Sequence, residues 1–484
     1  MALLDVRKRI AQVLLGSPTP SECSECVKLQ QENERLRRAN EAQRQEIARL
    51  RERLQEAQRS AKRQAAPFSK GLPKKHPKRP GRKPGKGYGV KARRPLPDHV
   101  DESYPVPLPP CCPHCSGPVT FQKTVDQYQE EIPKIKTVIR CFTIEVGQCQ
   151  TCRRAVRGRH PLQTSDAVGA AGVTVGPAAL AMAASLNKRF GLSFGKVSGV
   201  LKTTFSLPIS RGGLSQALDR IADTLTPTHE ALIQFVRAAP VVSPDETGWK
   251  VAGHLQWLWA FVTPQVTVYR IMDGRGYDEA CQVLGEGFSG TLVRDGWAPY
   301  RSFLLATHQT CIGGHIVRRC KRLLLTAKRG AARVPHAILR VLYRALTLRD
   351  HWIEHPPTTL GRAIHTGLIA AEMDRMLSWH PTDDENRKLL KHLSNERNAL
   401  FTFLRDPSVP ASNWWSEQAM RPMVVIRKVW GGNRTPSGAV TQAKLGSFFR
   451  SCHQQGVDPE LHLQLLLSSP VLIVAPLPCF ASGP

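Results

Sequence analysis

Three carboxylates stand in segments suited to chemistry on phosphate esters. They are Asp245 in Ser243-Pro-Asp-Glu-Thr-Gly-Trp249, Asp295 in Val293-Arg-Asp-Gly-Trp-Ala-Pro-Tyr300, and Glu417 in Asn413-Trp-Trp-Ser-Glu-Gln-Ala-Met-Arg421. Hard cations such as Mg2+ or Mn2+, with carboxylate and water ligands, suit this work, and zinc does not. Two such ions held about 3.5–4 Å apart stabilise the attacking and leaving oxygens of an in-line displacement at phosphorus. Asp245, Asp295 and Glu417 are therefore the candidate catalytic residues and Mg2+ ligands. Arg421, Arg427 and Lys428 are candidate phosphate contacts, and Trp414, Trp415 and Trp430 add faces of the kind that hold single-stranded or distorted DNA. The plainer alternative for Glu417 is an ion pair with Arg421 on a solvated helix face. Glu246, Asp273 and Asp278 compete as ligands. Glu246 points away from Asp245 if the strand continues through it.

The elements that must position these acids are legible as patterns. Asp245 follows the apolar run Pro240 to Pro244 and Asp295 follows Gly290 to Arg294, so each is expected where a short buried strand ends. Between them, His254 to Val262 and Gln265 to Met272 read as a hairpin joined by Thr263 and Pro264, and Gly276 to Leu284 has helical spacing. Strand, hairpin, helix, strand is the order in which a ribonuclease-H-like fold places its first two metal ligands. His308 to Cys311 would be a fifth strand. From Ile312 to Arg349 there are ten Lys or Arg and no acid, with Arg340 and Arg344 on the helix face opposite Leu339, Leu342 and Leu346. Helical sequence then runs to about Leu404, and Asn413 is the expected N-cap of the helix bearing Glu417. The catalytic core is thus assigned to 236–311 and 401–456, an α/β fold with an all-α insertion at 312–400.

The 484 residues carry a net charge of +29, a balance that favours a polyanionic partner, most plausibly nucleic acid. Residues 1–58 contain a heptad seam through Leu29, Leu36, Gln43 and Leu50, alternating with Asn33, Asn40, Ile47 and Leu54, which predicts a parallel coiled coil and a homodimer or higher oligomer. Residues 59–100 form a basic linker. Fourteen Lys or Arg and no acid lie between Arg59 and Arg94, and Arg79, Arg82 and Lys83 in its Pro/Gly-rich centre resemble segments that lie in a minor groove. In 101–165, Cys112-Pro-His-Cys115 and Cys149-Gln-Thr-Cys152 flank thirty-three residues rich in β formers, the spacing of a zinc ribbon with one structural Zn2+. Cys111 and His114 compete with Cys112 as ligands. The pair Cys23 and Cys26, and the set Cys311, His315 and Cys320, lack partners at zinc spacing.

Residues 166–235 read as helices, with one from about Ser193 to Phe205, a turn through Ser206 to Ile209, and another after Ser210. That is a helix-turn-helix pattern with Arg211 at the start of its second helix, able to reach base edges. The tail, 457–484, suggests no function. Met1 to Lys8 has no apolar leader character, no apolar run reaches the ~20 residues of a membrane span, and an intracellular protein with reduced thiols is expected.

The ordered segments together resemble the insertion-sequence-66 family of DDE transposases. The resemblance rests on the Asp245 and Asp295 segments, then Cys311, His315, Arg318 and Arg319, then Asn413-x-x-x-Glu417-Gln-x-x-Arg421-Pro and Arg-Lys-x-Trp-Gly-Gly. It implies an acidic triad of Asp245, Asp295 and Glu417, DNA contacts at Arg318 and Arg319, and cleavage at insertion-sequence ends followed by strand transfer. It also implies element-encoded accessory proteins and a bacterial, nucleoid-associated setting. A catalytically impaired DNA-binding protein, or a nuclease or resolvase without strand transfer, is the alternative. Two departures from the family pattern stand out. Ser412-Asn413 replaces two asparagines, and three residues instead of two separate Cys311 from His315, which would rotate His315 in a regular helix.

Overall fold

The structure is a computed structural model that describes residues 24–62, 94–133 and 135–468. Cys23, Arg79, Arg82, Lys83 and the tail beyond Ser468 lie outside the described residues. The chain divides into two compact units between Gln129 and Glu130.

In the first unit, α1 (Ser24–Lys62) is a helix of 39 residues. Leu36, Ile47 and Leu50 of the expected seam remain about half exposed along it. The Cys112–Cys115 segment forms a tight turn closed by the bridge between Cys111 and Pro118. Cys112 N–H donates to the Gly117 carbonyl and Ser116 N–H to the Cys112 carbonyl, each at 2.9 Å, with Ser116 at φ 58°.

The second unit repeats this turn. Strands β1 (Val146–Gln148) and β2 (Ala155–Arg157) form an antiparallel hairpin around Cys149 and Cys152. Here Cys149 N–H donates to Arg154 O and Arg153 N–H to Cys149 O, each at 2.9 Å, and Arg153 has φ 58°. The β-rich stretch expected between the two cysteine pairs differs. Among the described residues it holds no strand before Val146. Val125 and Ile139 stay 74% and 91% exposed, so strand propensity there finds no packed surface to act on.

Helices α2 (Pro177–Ala184), α3 (Phe194–Phe205), α4 (Arg211–Thr224) and α5 (Thr226–Ala238) follow. The junction of α3 and α4 falls at the expected turn. Ser206 is left-handed, with φ 54°, and Ser198 Oγ bonds Ile209 O at 2.6 Å. Ser210 Oγ caps α4 by accepting from Gly213 N–H at 3.0 Å.

The centre of the unit is a five-stranded mixed sheet. Its strands are β3 (Val241–Val251), β4 (His254–Val262), β5 (Thr267–Met272), β6 (Thr291–Arg294) and β7 (Thr307–Thr310), in spatial order β5-β4-β3-β6-β7. β4 runs antiparallel to both of its neighbours, while β6 is parallel to β3 and β7. α6 (Tyr277–Leu284) connects β5 to β6. After β7 the chain makes one π-turn, Ile312–Ile316. It then forms α7 (Val317–Thr326), α8 (Arg333–Glu354), α9 (Thr359–Leu377), α10 (Asp384–Asn395) and the short α11 (Thr402–Arg405). It returns as α12 (Trp414–Trp430), α13 (Pro436–Gln454) and α14 (Pro459–Ser468).

Period-two alternation splits β4 between two cores. Trp259 and Phe261 pack with α5, α6, α13 and α14, whereas Leu258, Ala260 and Val262 face Ala419, Met423 and Ile426 of α12. A separate apolar cluster, including Ile338, Leu342, Met373, Leu389 and Phe403, holds the α7–α11 excursion together and reaches Val241 and Val293 of the sheet. α14 belongs to the body of the unit, with Leu463 buried and Glu460 accepting from Ser185 Oγ at 2.7 Å.

β5 is a sheet edge, and α13 covers it. The backbone N–H groups of Tyr269 and Thr267 donate to Ser447 Oγ at 2.8 Å and Ser451 Oγ at 3.1 Å, respectively. Edge amides left unpaired in a buried setting are costly. Ser447→Ala is expected to lower unfolding stability by about 1–3 kcal/mol in chemical denaturation; an unchanged midpoint contradicts this role.

Candidate active site

Asp245 was expected at a strand end and instead lies mid-strand. The reason is that β3 has neighbours of different reach. It pairs with β6 only at Val241 and Val242 but continues with β4 from Ser243 to Val251. Asp245 therefore sits just beyond the point where β3 parts from β6, and Asp295 follows the last residue of β6. The two acids come together at the same end of the parallel pair.

Glu417 arrives on α12, which lies across the β3 face that carries Ser243, Asp245 and Thr247. The hydroxyl of Ser243 is 3.3 Å from that of Ser416 and 3.2 Å from Val293 O. Further along, Arg427 Nη1 donates to Thr247 Oγ1 at 3.1 Å and also to the Gly248 carbonyl. These contacts bracket Asp245 and bring Glu417 to it. Burial, followed by the negative charges of Glu246, Asp295 and Glu417, pushes the Asp245 carboxyl up to about 7.

The competing acids are otherwise engaged. Glu246 does point to the opposite side, where it is buried and accepts from Arg275 Nε at 2.8 Å, Arg275 Nη2 at 2.7 Å and the Tyr300 hydroxyl. Arg275 is itself held between the rings of Trp257 and Trp297. Asp273 receives the Gln256 amide, and Asp278 lies in the first turn of α6.

Fit to divalent cations follows from the donor set. The raised Asp245 carboxyl registers burial first and then the negative charges of Glu246, Asp295 and Glu417. Asp245 senses the charges of Asp295 and Glu417, but the three form no finished cage. Among the described residues, no group of three or more His, Cys, Asp or Glu is gathered closely enough to hold an ion by itself. Mutual repulsion opposes closer approach, and a cation would relieve it.

The two departures from the family pattern touch. Ile312 N–H donates to Ala411 O at 3.0 Å. A Cβ added at Gly314 would lie 3.0 Å from Cys311 Sγ, 3.1 Å from Glu417 Oε1 and 3.9 Å from Asn413 Oδ1, so the bare glycine makes room for all three. The extra residue after Cys311 is taken up by the π-turn, which closes i→i+5 instead of i→i+4 and lets α7 continue in regular register from Val317. Asn413 precedes α12 as expected, but its side chain makes no cap bond. Its Oδ1 is buried without a partner beside Gly314. The Gly313-Gly314 pair was the one sequence signal for this close approach.

Other expected contacts are placed as follows. Arg318 is exposed at the start of α7, and Arg319 is half-buried in the field of His392. The Arg211 side chain lies over Gly195, where a Cβ would meet its Nε at 3.2 Å. Arg340 and Arg344, read as a free basic face, both pair with Glu372 of α9. Arg421 and Lys428 have interactions of their own. Sequence reasoning missed the buried Glu396, which pairs with Arg294 at 2.8 Å, and His392, whose Cε1 would be 2.7 Å from a Cβ at Gly296. Both lean on the segment that carries Asp295.

Both cysteine turns hold their first sulfur in backbone amides. Cys112 receives them from His114 and Cys115, Cys149 from Cys152 and Thr151, and these bonds draw both thiols below their ordinary value.

A mixed sheet with Asp245 and Asp295 at the end of its parallel pair, met by a helix that returns after an all-α excursion, fits the α/β catalytic domain of a transposase. The description "Transposase IS66 family" matches residues 172–441, more than half of the chain, and the chain belongs to that family. It is also similar to the uncharacterized protein y4qI of Sinorhizobium fredii (strain NBRC 101917 / NGR234), at 23% identity over 283 residues. These are 52% of this chain and 51% of that protein, so the chain spans about half the length of this relative. Among the described residues no helix is long and apolar enough to cross a membrane.

Proposed function

We propose that the chain is a DNA transposase that cleaves the ends of an insertion sequence and joins them to target DNA at the Asp245–Asp295–Glu417 site. The observation that carries this reading is that Asp295 and Glu417 lie near enough to Asp245 to help raise its carboxyl, at the end of a sheet whose strand order, β5-β4-β3-β6-β7 with β4 antiparallel, is ribonuclease-H-like. Bound by the three acids, two Mg2+ ions would supply charge stabilisation to the attacking and leaving oxygens. The residues of the chain orient the reaction. Arg427 fixes α12 on β3, Asp295 is held by the Trp297 N–H at 2.9 Å, and Arg294 bonds the Asp295 carbonyl at 3.0 Å. Water attacks phosphorus at the element end and a 3′-hydroxyl leaves. That hydroxyl then attacks a target phosphate, forming one P–O bond as another breaks, with no covalent protein intermediate. Arg318, Arg319, Arg421 and Lys428 belong to the DNA-facing set, together with Arg79, Arg82 and Lys83 of the linker and Arg211 of the helix-turn-helix.

In the same reading Cys112, Cys115, Cys149 and Cys152, at the spacing of two zinc knuckles, are the ligands of one structural zinc. The amide-held, acidified sulfurs support this. Cys149→Ser is expected to reduce bound zinc from about one ion per chain to a small fraction by atomic absorption; full retention contradicts the assignment. The half-exposed Leu36, Ile47 and Leu50 support self-association of α1.

The experiment is incubation of the full chain with Mg2+, DNA bearing the inverted repeats that flank its gene, and a target plasmid. Cleaved and joined products are expected. Cleavage without joining supports a nuclease instead, and no cleavage overturns the enzymatic reading.

A further inference from the structure

Beside the catalytic segments lies a cavity of about 370 Å³ that the acids do not use. Trp414 and Trp415 from the start of α12 line it, with Pro410 and Ser412 before them, Gly313 of the π-turn and Arg349 of α8. Three features bear on its occupant. Trp414 is 52% exposed although it is among the largest apolar side chains of the unit. Arg349 Nε is buried with no hydrogen-bond partner among the described residues. Trp414 also precedes Glu417 by three positions on one helix, so the two side chains are neighbours on its surface.

We infer that this cavity receives one unpaired nucleobase of the DNA strand engaged at the acids. The inference rests on the DNA-processing reading above. An indole face offers stacking to any base, and a cavity of this size admits a single base with its sugar but not a base pair. Arg349 brings a guanidinium to the cavity wall, and every nucleobase offers ring-nitrogen or carbonyl acceptors to such a group. An apolar peptide side chain would offer that guanidinium no acceptor. The excursion that supplies Arg349 thereby contributes to holding the strand open next to Glu417.

Fluorescence anisotropy of the full-length chain tests this with two DNA hairpins, each with a short single-stranded tail, one of thymines and the other of abasic residues. The wild-type chain is expected to bind the thymine tail about tenfold more tightly. Trp414→Ala should bring the two affinities together while leaving the dependence on salt unchanged, because phosphate contacts are untouched. Trp414→Phe should restore most of the difference. Leu346→Trp, which fills the cavity and leaves Trp414 intact, should remove it again. Equal affinities in the wild-type chain, or a thymine preference that survives Trp414→Ala, overturn the pocket while the DNA-binding reading stands. Binding of neither tail by the wild-type chain overturns the DNA-processing reading and the pocket together.

Discussion

Asp245→Asn is expected to abolish Mg2+-dependent DNA cleavage, by at least about a thousandfold, and at the same time to make the folded chain more stable at pH 8. The two effects have one cause. In the folded chain Asp245 keeps its proton up to about pH 7, against 3.8 for a free side chain. Between those values the folded state binds more protons than the unfolded one, so stability falls as pH rises through the window. The stabilising contribution is fully present below pH 3.8 and is lost above about pH 7. Its full size is at most about 4 kcal/mol, from roughly 1.4 kcal/mol per pH unit. Asparagine preserves the shape without the charge, so the melting temperature of the variant relative to wild type should climb from pH 5 to pH 8 in the absence of divalent ions. Millimolar Mg2+ should then stabilise the wild-type chain selectively, by mass action. A variant less stable than wild type at pH 8 contradicts the account of a buried carboxylate crowded by like charges, and a variant that still cleaves removes Asp245 from the site.

Glu396→Ala should destabilise the chain by about 3–5 kcal/mol, the usual cost of stranding one member of a buried ion pair. Arg294 and Glu396 are 2% and 1% exposed and pair at 2.8 Å, and Arg301 adds a longer contact at 3.8 Å. Neither Glu396 oxygen receives a well-aligned hydrogen bond, so proximity of charge holds the pair. Removing Glu396 leaves the Arg294 guanidinium buried without compensation while it still supports the Asp295 carbonyl. The double variant Arg294→Met, Glu396→Leu should recover most of the stability, since an apolar pair of similar volume is often neutral, yet lose the carbonyl support and with it much of the cleavage rate. Urea denaturation and single-turnover cleavage separate the two. Equal destabilisation by the single and double variants refutes the stranded-charge explanation.

The segments that carry Asp245, Asp295 and Glu417 were legible as strand and helix patterns, and the structure brings Asp295 and Glu417 into the electrostatic surroundings of Asp245. The strand order followed from apolar runs and one two-residue connection. The position of Asp245 within its strand was not legible. The apolar run stops at Pro244, and what continues the strand is a polar face, Asp245 and Thr247, covered by a helix more than a hundred residues later in the chain. Fates decided by tertiary contact were equally hidden. Arg427 reads as a phosphate ligand, yet the Gly248 carbonyl and Thr247 hydroxyl engage it. Arg340 and Arg344 read as a free basic face until α9 presents Glu372. The π-turn after Cys311 has no propensity signature apart from Gly313 and Gly314, so an inserted residue that looked disruptive is absorbed in one wide turn.

The excursion between β7 and α12 also orders events in time. On the ribosome, Asp245 and Asp295 emerge together with the strands that hold them, but Glu417 follows only after residues 312–400 have been made. Contacts of such long sequence separation close late in folding, and segments fold roughly as they emerge. A nascent chain thus holds Asp245 and Asp295 on their strands before the helix that bears Glu417 exists.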